Sequence, residues 1–161
     1  MKDFILLANI NVITYKEVFP LLKDNIIRPG VVFNKTLEFE GEKGPTKKPG
    51  IAWYTTLSTP GKDKLILTKT YNEKDYPKYD NYDAINVDKV KDIPYDYDGV
   101  MGVPITIFDY DLDEAVILDA RDYGKTNKQT GKSTLLIKDG DSAINGKPTY
   151  ARVLIKKKTL R

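Results

Sequence analysis

The apolar residues of this chain come in short runs, not in long periodic stretches. Phe4 to Ala8 reads FILLA, a continuous apolar run that fits a strand buried on both faces, as in a parallel sheet. It gives way to Asn9-Ile10-Asn11 and then to Thr14-Tyr15-Lys16-Glu17, a Thr-x-x-Glu capping box that predicts the start of a helix. That helix is expected to run to about Asn25, with Val18, Leu21 and Leu22 on one face. Pro20 falls inside it, where its missing N–H predicts a bend. Strand, polar turn and helix form the basic unit of a doubly wound α/β sheet.

Beyond this start the pattern changes to that of strands. Residues 31–39 alternate weakly, and residues 41–50 form a loop with Gly41, Gly44, Pro45, Pro49 and Gly50. Residues 51–57 (IAWYTTL) and 64–71 (KLILTKTY) flank Thr59-Pro60-Gly61-Lys62 and predict a hairpin. Residues 103–109, 115–120, 133–138 and 149–157 are further predicted strands, with polar turns at 124–131 and 139–146. The expected fold is one partial domain over residues 1–161. An α/β beginning to residue 71 is followed by a mostly antiparallel, β-rich portion over 72–161.

Composition narrows the chemistry. The 161 residues are 40% hydrophobic and 30% charged, as in a globular domain with a real core. There is no Cys and no His, which excludes disulfides, thiol nucleophiles, Ser/His/Asp hydrolysis and a typical zinc site. The net charge of +3 neither identifies nor excludes a nucleic-acid binder. Lysines cluster at Lys43, Lys47 and Lys48 and again at Lys156 to Lys158, beside Arg161. No apolar run reaches the roughly 18 residues of a membrane span, and the start is too short and too acidic for a signal peptide. No membrane partner is expected, and a cytoplasmic chain is the default.

The polar stretch 76–106 (YPKYDNYDAINVDKVKDIPYDYDGVMGVPIT) stands apart. Tyr71, Tyr76, Tyr79, Tyr82, Tyr95 and Tyr97 gather in or beside it. Tyrosine offers a rigid apolar face and one hydroxyl, which suits either stacking or packing. Tyr79, Asn81 and Tyr82 are therefore candidates for base contacts, with a packed surface loop as the other reading. Lys78, Lys89 and Lys91 are the cations that would meet phosphates against the surrounding aspartates. Those aspartates do not match the spacing of a calcium loop, and no metal is assigned. Trp53, in an alternating strand, reads as core or as a DNA contact. Asn9 and Asn11 follow the first strand at its carboxyl end, where open α/β sheets bind ligands, although they equally serve the turn itself. No Gly-x-Gly turn and no adjacent prolines occur, so neither a cofactor cradle nor an Asn-Pro-Pro-aromatic motif is present.

Several of these segments resemble, in order, the EcoRI-type adenine-specific DNA methyltransferases. They are Asn9 to Glu17 with Phe19-Pro20-Leu21, Trp53 to Leu57, residues 76–106, and Gly146-Lys147 through Tyr150-Ala151-Arg152-Val153-Leu154-Ile155. The resemblance implies the C-terminal half of a Rossmann-like methyltransferase sheet, entered by its strand-helix start, followed by the β-rich portion. It implies transfer of a methyl group from S-adenosylmethionine to adenine in a specific DNA site, in a restriction-modification setting. The cofactor turn and the catalytic motif lie in a segment of the family that this sequence lacks. The chain by itself is therefore expected to hold no catalytic residue and no cofactor, and to be inactive alone. Asn9, Asn11 and Tyr15 would border the target-base pocket. Trp53, Lys78, Tyr79, Asn81, Tyr82, Asn86, Lys89 and Lys91 would face DNA. The implied partners are double-stranded DNA and either a separate N-terminal half or a second copy joined through the first strand, whose free edge calls for cover. The alternative readings are a non-catalytic nucleic-acid-binding module and a structural remnant.

Overall fold

The structure is a computed structural model that describes residues 2–15, 17–31, 33, 36–111, 115–117, 136–137 and 140–157. In chain order the elements are β1 (Ile5–Asn9), the helix α1 (Phe19–Lys23), β2 (Arg28–Pro29), β3 (Leu37–Phe39), β4 (Thr46–Lys48), β5 (Ile51–Thr55) and β6 (Asp63–Lys64). They continue with β7 (Ile85–Asn86), β8 (Met101–Val103), β9 (Tyr110–Asp111), β10 (Ala115–Ile117), β11 (Leu136–Ile137), β12 (Ala143–Ile144), β13 (Lys147–Pro148) and β14 (Arg152–Lys157). Short 3-10 turns occupy Ile10–Thr14, Val90–Asp92 and Ile105–Asp109. No helix among the described residues is long and apolar enough to cross a membrane. The chain forms two compact units, one of Met1–Asp63 with Phe108–Asp111 and the other of Lys64–Ile107 with Leu112–Arg161. The fold is mixed α/β, with many small, mostly antiparallel sheets and few helices.

In the first unit β5 is the middle strand of a three-stranded sheet in the order β1-β5-β2. Both neighbours are antiparallel to it, with Leu7 opposite Trp53 and Pro29 opposite Tyr54. This corrects two expectations. The first strand is not buried on both faces of a parallel sheet: Ile5 and Leu6 are 65% and 52% exposed. A short apolar run does not distinguish a doubly covered strand from an antiparallel one, and among the described residues only β5 pairs with it. The predicted hairpin between residues 51–57 and 64–71 is also absent, because both edges of β5 are taken by β1 and β2. A strand-helix beginning does exist in reduced form, since β1 and β2 run the same way with β5 between them.

The expected helix over 14–25 is shorter. Its α-helical part has Val18 at the N-cap, with no side-chain capping bond. Pro20 thus lies in the first turn, where its missing N–H costs nothing and its fixed φ suits a helix start. Phe19 and Leu22 enter the core with Ile13, Phe33, Tyr54 and Phe108. Phe33 meets Tyr54 and Phe108 edge-on, with ring centroids 6.3 and 6.2 Å apart. The Phe33 N–H donates to Asp109 Oδ1 at 3.1 Å. The glycine-rich stretch after residue 40 closes a small hairpin, β3 against β4.

The second unit is built on β14. The sheet order is β10-β14-β8-β7, and β11 also pairs with β14. Val153, Leu154 and Ile155 are buried, opposite Val103, Gly102 and Met101 of β8. β7 runs parallel to β8. The strand expected over 103–109 instead ends at Val103, because Pro104 has no N–H to continue a ladder and a 3-10 turn follows. The expected strands at 115–120 and 133–138 are seen as β10 and β11. The rest of those two spans, and the turn at 124–131, lie outside the described residues. The span 139–146, expected to be only a turn, contains β12, which forms a hairpin with β13 just beyond it. Its two loop residues, Asn145 and Gly146, both have positive φ, 51° and 72°. That is the Asn-Gly type I′ turn whose twist matches its flanking strands.

Candidate nucleic-acid interface

The tyrosine-rich stretch is largely an interior element of the second unit. Tyr79 and Tyr82 are 3% and 2% exposed, and they pack with Ala84, Ile137 and Leu154. Asn81 and Asn86 are buried as well. These four side chains, expected to face DNA, are thus placed in the interior of the second unit. Aromatic rings have the largest apolar area to remove from water, and a segment rich in them supplies a core when its hydroxyls and amides find partners.

Those partners are present. The Tyr79 hydroxyl donates to Asn86 Oδ1 at 2.7 Å, and Arg152 Nε donates to the same oxygen at 3.1 Å. Asn86 Nδ2 donates to Asp88 Oδ1 at 2.6 Å, and Arg152 Nη2 lies 3.8 Å from that carboxylate. Arg152 is itself buried, so its charge is held inside by oxygen acceptors and Asp88. The ring of Tyr79 lies against Gly102. A Cβ built there would sit 2.8 and 2.9 Å from Cε2 and Cζ of the ring, closer than side chains pack. The glycine in Asp98-Gly99-Val100-Met101-Gly102 is required by that ring, not by backbone φ.

A second set of bonds ties the stretch to the β12–β13 hairpin. The Asp80 carboxylate accepts from Asn145 N at 3.0 Å and from Gly146 N at 2.7 Å. Asp80 N donates to the Ala143 carbonyl at 2.8 Å. Asn81 Nδ2 donates to the Asp141 carbonyl at 2.7 Å, and its Oδ1 accepts from Ala143 N at 3.2 Å. Asp80 and Asn81 thus act as a clasp that fixes the hairpin and its tip. Sequence reading missed Asp80, Arg152 and the hairpin. The only advance signal was Asn145-Gly146 between Ala143-Ile144 and Lys147.

Three of the remaining tyrosines, Tyr71, Tyr76 and Tyr97, form a cluster of rings, and Tyr95 is exposed. Tyr71 lies between Tyr76 and Tyr97, with ring centroids 5.7 and 4.6 Å away. The Tyr76 hydroxyl donates to the Asp92 carbonyl at 2.8 Å. Burial, then the carboxylates of Asp92, Asp75 and Asp96, push the Tyr76 phenol upward. Burial, then Tyr71 and Asp83, do the same to Tyr97. This acidic surround disfavours a phosphate at the cluster.

Of the predicted cations, Lys78, Lys89 and Lys91 are exposed on the second unit. The other predicted residues belong to the first. Asn9, Asn11 and Tyr15 are exposed around the turn that follows β1. The Asn9 side chain accepts from Asn11 N at 2.8 Å and so closes that turn. The Tyr54 hydroxyl secures the turn from below, donating to the Ile10 carbonyl at 3.1 Å, and burial raises its pKa. Trp53 is 41% exposed, on the sheet face it shares with Ile5, Leu7 and Ile51. Gly30 lies beside it, with its N–H on the Trp53 carbonyl at 2.7 Å. The outer edge of β1 pairs with no strand among the described residues. No group of acidic side chains among the described residues is arranged to hold a metal ion.

Comparison with known proteins decides the kinship. Residues 1–158 match the family described as adenine-specific methyltransferase EcoRI. The chain belongs to this family. It is 39% identical to the Type II methyltransferase M.EcoRI of Escherichia coli, over 99% of this chain and 52% of that protein. It is 32% identical to a Type II methyltransferase of Mycoplasma genitalium, over 99% of this chain and 58% of that protein. The chain thus spans about half the length of the curated relatives it matches. No solved structure matches it. For this EcoRI-type methyltransferase chain, the family match covers both units, the clasp and the hairpin included.

Proposed function

We propose that this chain is the DNA-recognition portion of an adenine-specific methyltransferase of the restriction-modification type, and that methyl transfer needs polypeptide outside these 161 residues. The observation that carries the reading is the match over residues 1–158, against relatives of which the chain spans about half. The sequence has no Gly-x-Gly turn and no adjacent prolines. The turn after β1 is closed by its own Asn9 side chain, and α1 has only five residues, which supports placing S-adenosylmethionine outside the described residues. In this reading the cofactor and the residues that grip the flipped adenine come from the other half. That half covers the free edge of β1 and the face carrying Ile5, Leu7 and Trp53. Asn9, Asn11 and Tyr15 stand at the end of that strand, where the target-base pocket is completed.

The same exposed edge supports a second reading, in which two copies pair through β1. The test is complementation. The chain is mixed with a polypeptide covering the part of M.EcoRI that it does not match, together with duplex DNA and methyl-labelled cofactor. Label entering adenine only in the mixture supports the proposal. Label entering with the chain alone, or failing to enter with a folded mixture, overturns it. Sedimentation gives the homodimer its own answer, since a dimer through β1 dissociates when Leu6→Lys is introduced.

A further inference from the structure

We infer that the β12–β13 hairpin, with Asn145 at its tip and Lys147 and Tyr150 beside it, is the element that enters the major groove of the duplex. The inference rests on the reading above and names the part of the chain that does the reading. Three observations carry it. The first is rigidity. A two-residue Asn-Gly turn is a sharp projection, and its backbone is held by the Asp80 carboxylate at Asn145 N and Gly146 N and by Asn81 at Ala143 N. A reading element needs such a scaffold, because side chains on a loosely held loop lose discrimination.

The second observation is presentation. Asn145, Gly146, Lys147 and Pro148 are all exposed, and Tyr150 is 78% exposed. By contrast Tyr79, Asn81, Tyr82 and Asn86 are spent on the clasp and core beneath. The third is chemistry. A side-chain amide pairs with the N6 and N7 edge of adenine, an ammonium meets a phosphate, and a tyrosine packs on sugar or donates to phosphate. A two-stranded ribbon is narrow enough for the major groove, which is about 12 Å wide. The Asp80 carboxylate beside the tip is engaged by two backbone N–H groups, those of Asn145 and Gly146.

The test uses the 161-residue chain and a pool of short labelled duplexes, with binding followed as salt is raised. Asn145→Gly removes the amide and keeps the positive φ of the turn, while Lys147→Gln and Tyr150→Ala leave the fold untouched. Unfolding midpoints within a degree of wild type confirm that. Lys147→Gln is expected to weaken low-salt binding several-fold and to lower the log–log salt slope by about one. Asn145→Gly is expected to cost roughly tenfold on preferred duplexes and little on the rest, flattening the preference. Asp80→Asn, which replaces one of the two acceptor oxygens with an NH2 and so loosens the clasp while leaving Asn145, Lys147 and Tyr150 in place, is expected to reduce the preference as well. If wild type binds and all three surface variants bind within twofold of it, the hairpin assignment is overturned and the recognition role survives. If folded wild type binds no duplex at low salt, both fall together.

Discussion

Gly102→Ala tests whether the tyrosine-rich stretch is core. Gly102 has no positive φ, so alanine suits its backbone and by itself would add roughly 0.5–1 kcal/mol of stability. Its new methyl, however, would lie 2.8 and 2.9 Å from two ring atoms of Tyr79, where carbon contacts normally settle at about 3.5–4.0 Å. The ring must therefore retreat by about 1 Å. It has nowhere to go, being 3% exposed, edge-on to Tyr82 and tied by its hydroxyl to Asn86 at 2.7 Å. Overpacking costs about 1–3 kcal/mol, and loosening the buried hydroxyl adds roughly 1 kcal/mol. The net expectation is a loss of about 1–3 kcal/mol, at roughly 2–4 °C of Tm per kcal/mol for a chain of this size. Urea unfolding followed by far-ultraviolet circular dichroism measures it, with the slope m unchanged. In a Tyr79→Val background the same substitution should cost much less, which gives the coupling directly. A Gly102→Ala protein as stable as wild type would refute the placement of the ring.

Arg152→Lys removes the planar fork that reaches Asn86 and Asp88, and a loss of about 1–3 kcal/mol is expected in the same assay, since lysine does not reproduce two directed donors. The phenols of Tyr76 and Tyr97 are pushed up, mainly by burial. Their contribution is therefore intact below about pH 10 and lost as pH rises through the folded-state values. Absorbance near 295 nm should show a late tyrosine phase that coincides with loss of the far-ultraviolet signal; complete ionisation near pH 10 with the fold intact would contradict this. Trp53 is the chain's one tryptophan and lies on the open face of the first unit, so adding the complementary half should blue-shift its emission. Unchanged emission on a formed complex would move the docking face elsewhere.

How much of this was legible in the sequence follows from what sequence patterns encode. The alternation of Ala52, Trp53 and Tyr54 gave a half-buried strand, and the structure has one there. The alternation did not say which strands flank it, because pairing is decided by which edges remain free. FILLA was rightly a strand but not a doubly covered one, since an apolar run carries no record of its neighbours. Pro20 and Pro104 were visible, and each marks a boundary: the first turn of α1 and the end of β8. The tyrosine-rich stretch misled in a specific way. Polarity and missing periodicity suggested surface, while Arg152, the partner that holds Asn86 inside, lies 66 residues further along the chain, outside any local window. Asn145-Gly146 was legible as a turn, but the importance of its tip depends on Asp80, which lies 65 residues earlier.

The most direct test of the central claim is equilibrium binding of the isolated chain to two ligands in parallel, short duplex DNA at low salt and labelled S-adenosylmethionine. The account predicts salt-sensitive binding of the duplex and none of the cofactor. Cofactor binding by the chain, or a folded chain indifferent to duplex DNA at every salt concentration, would contradict it.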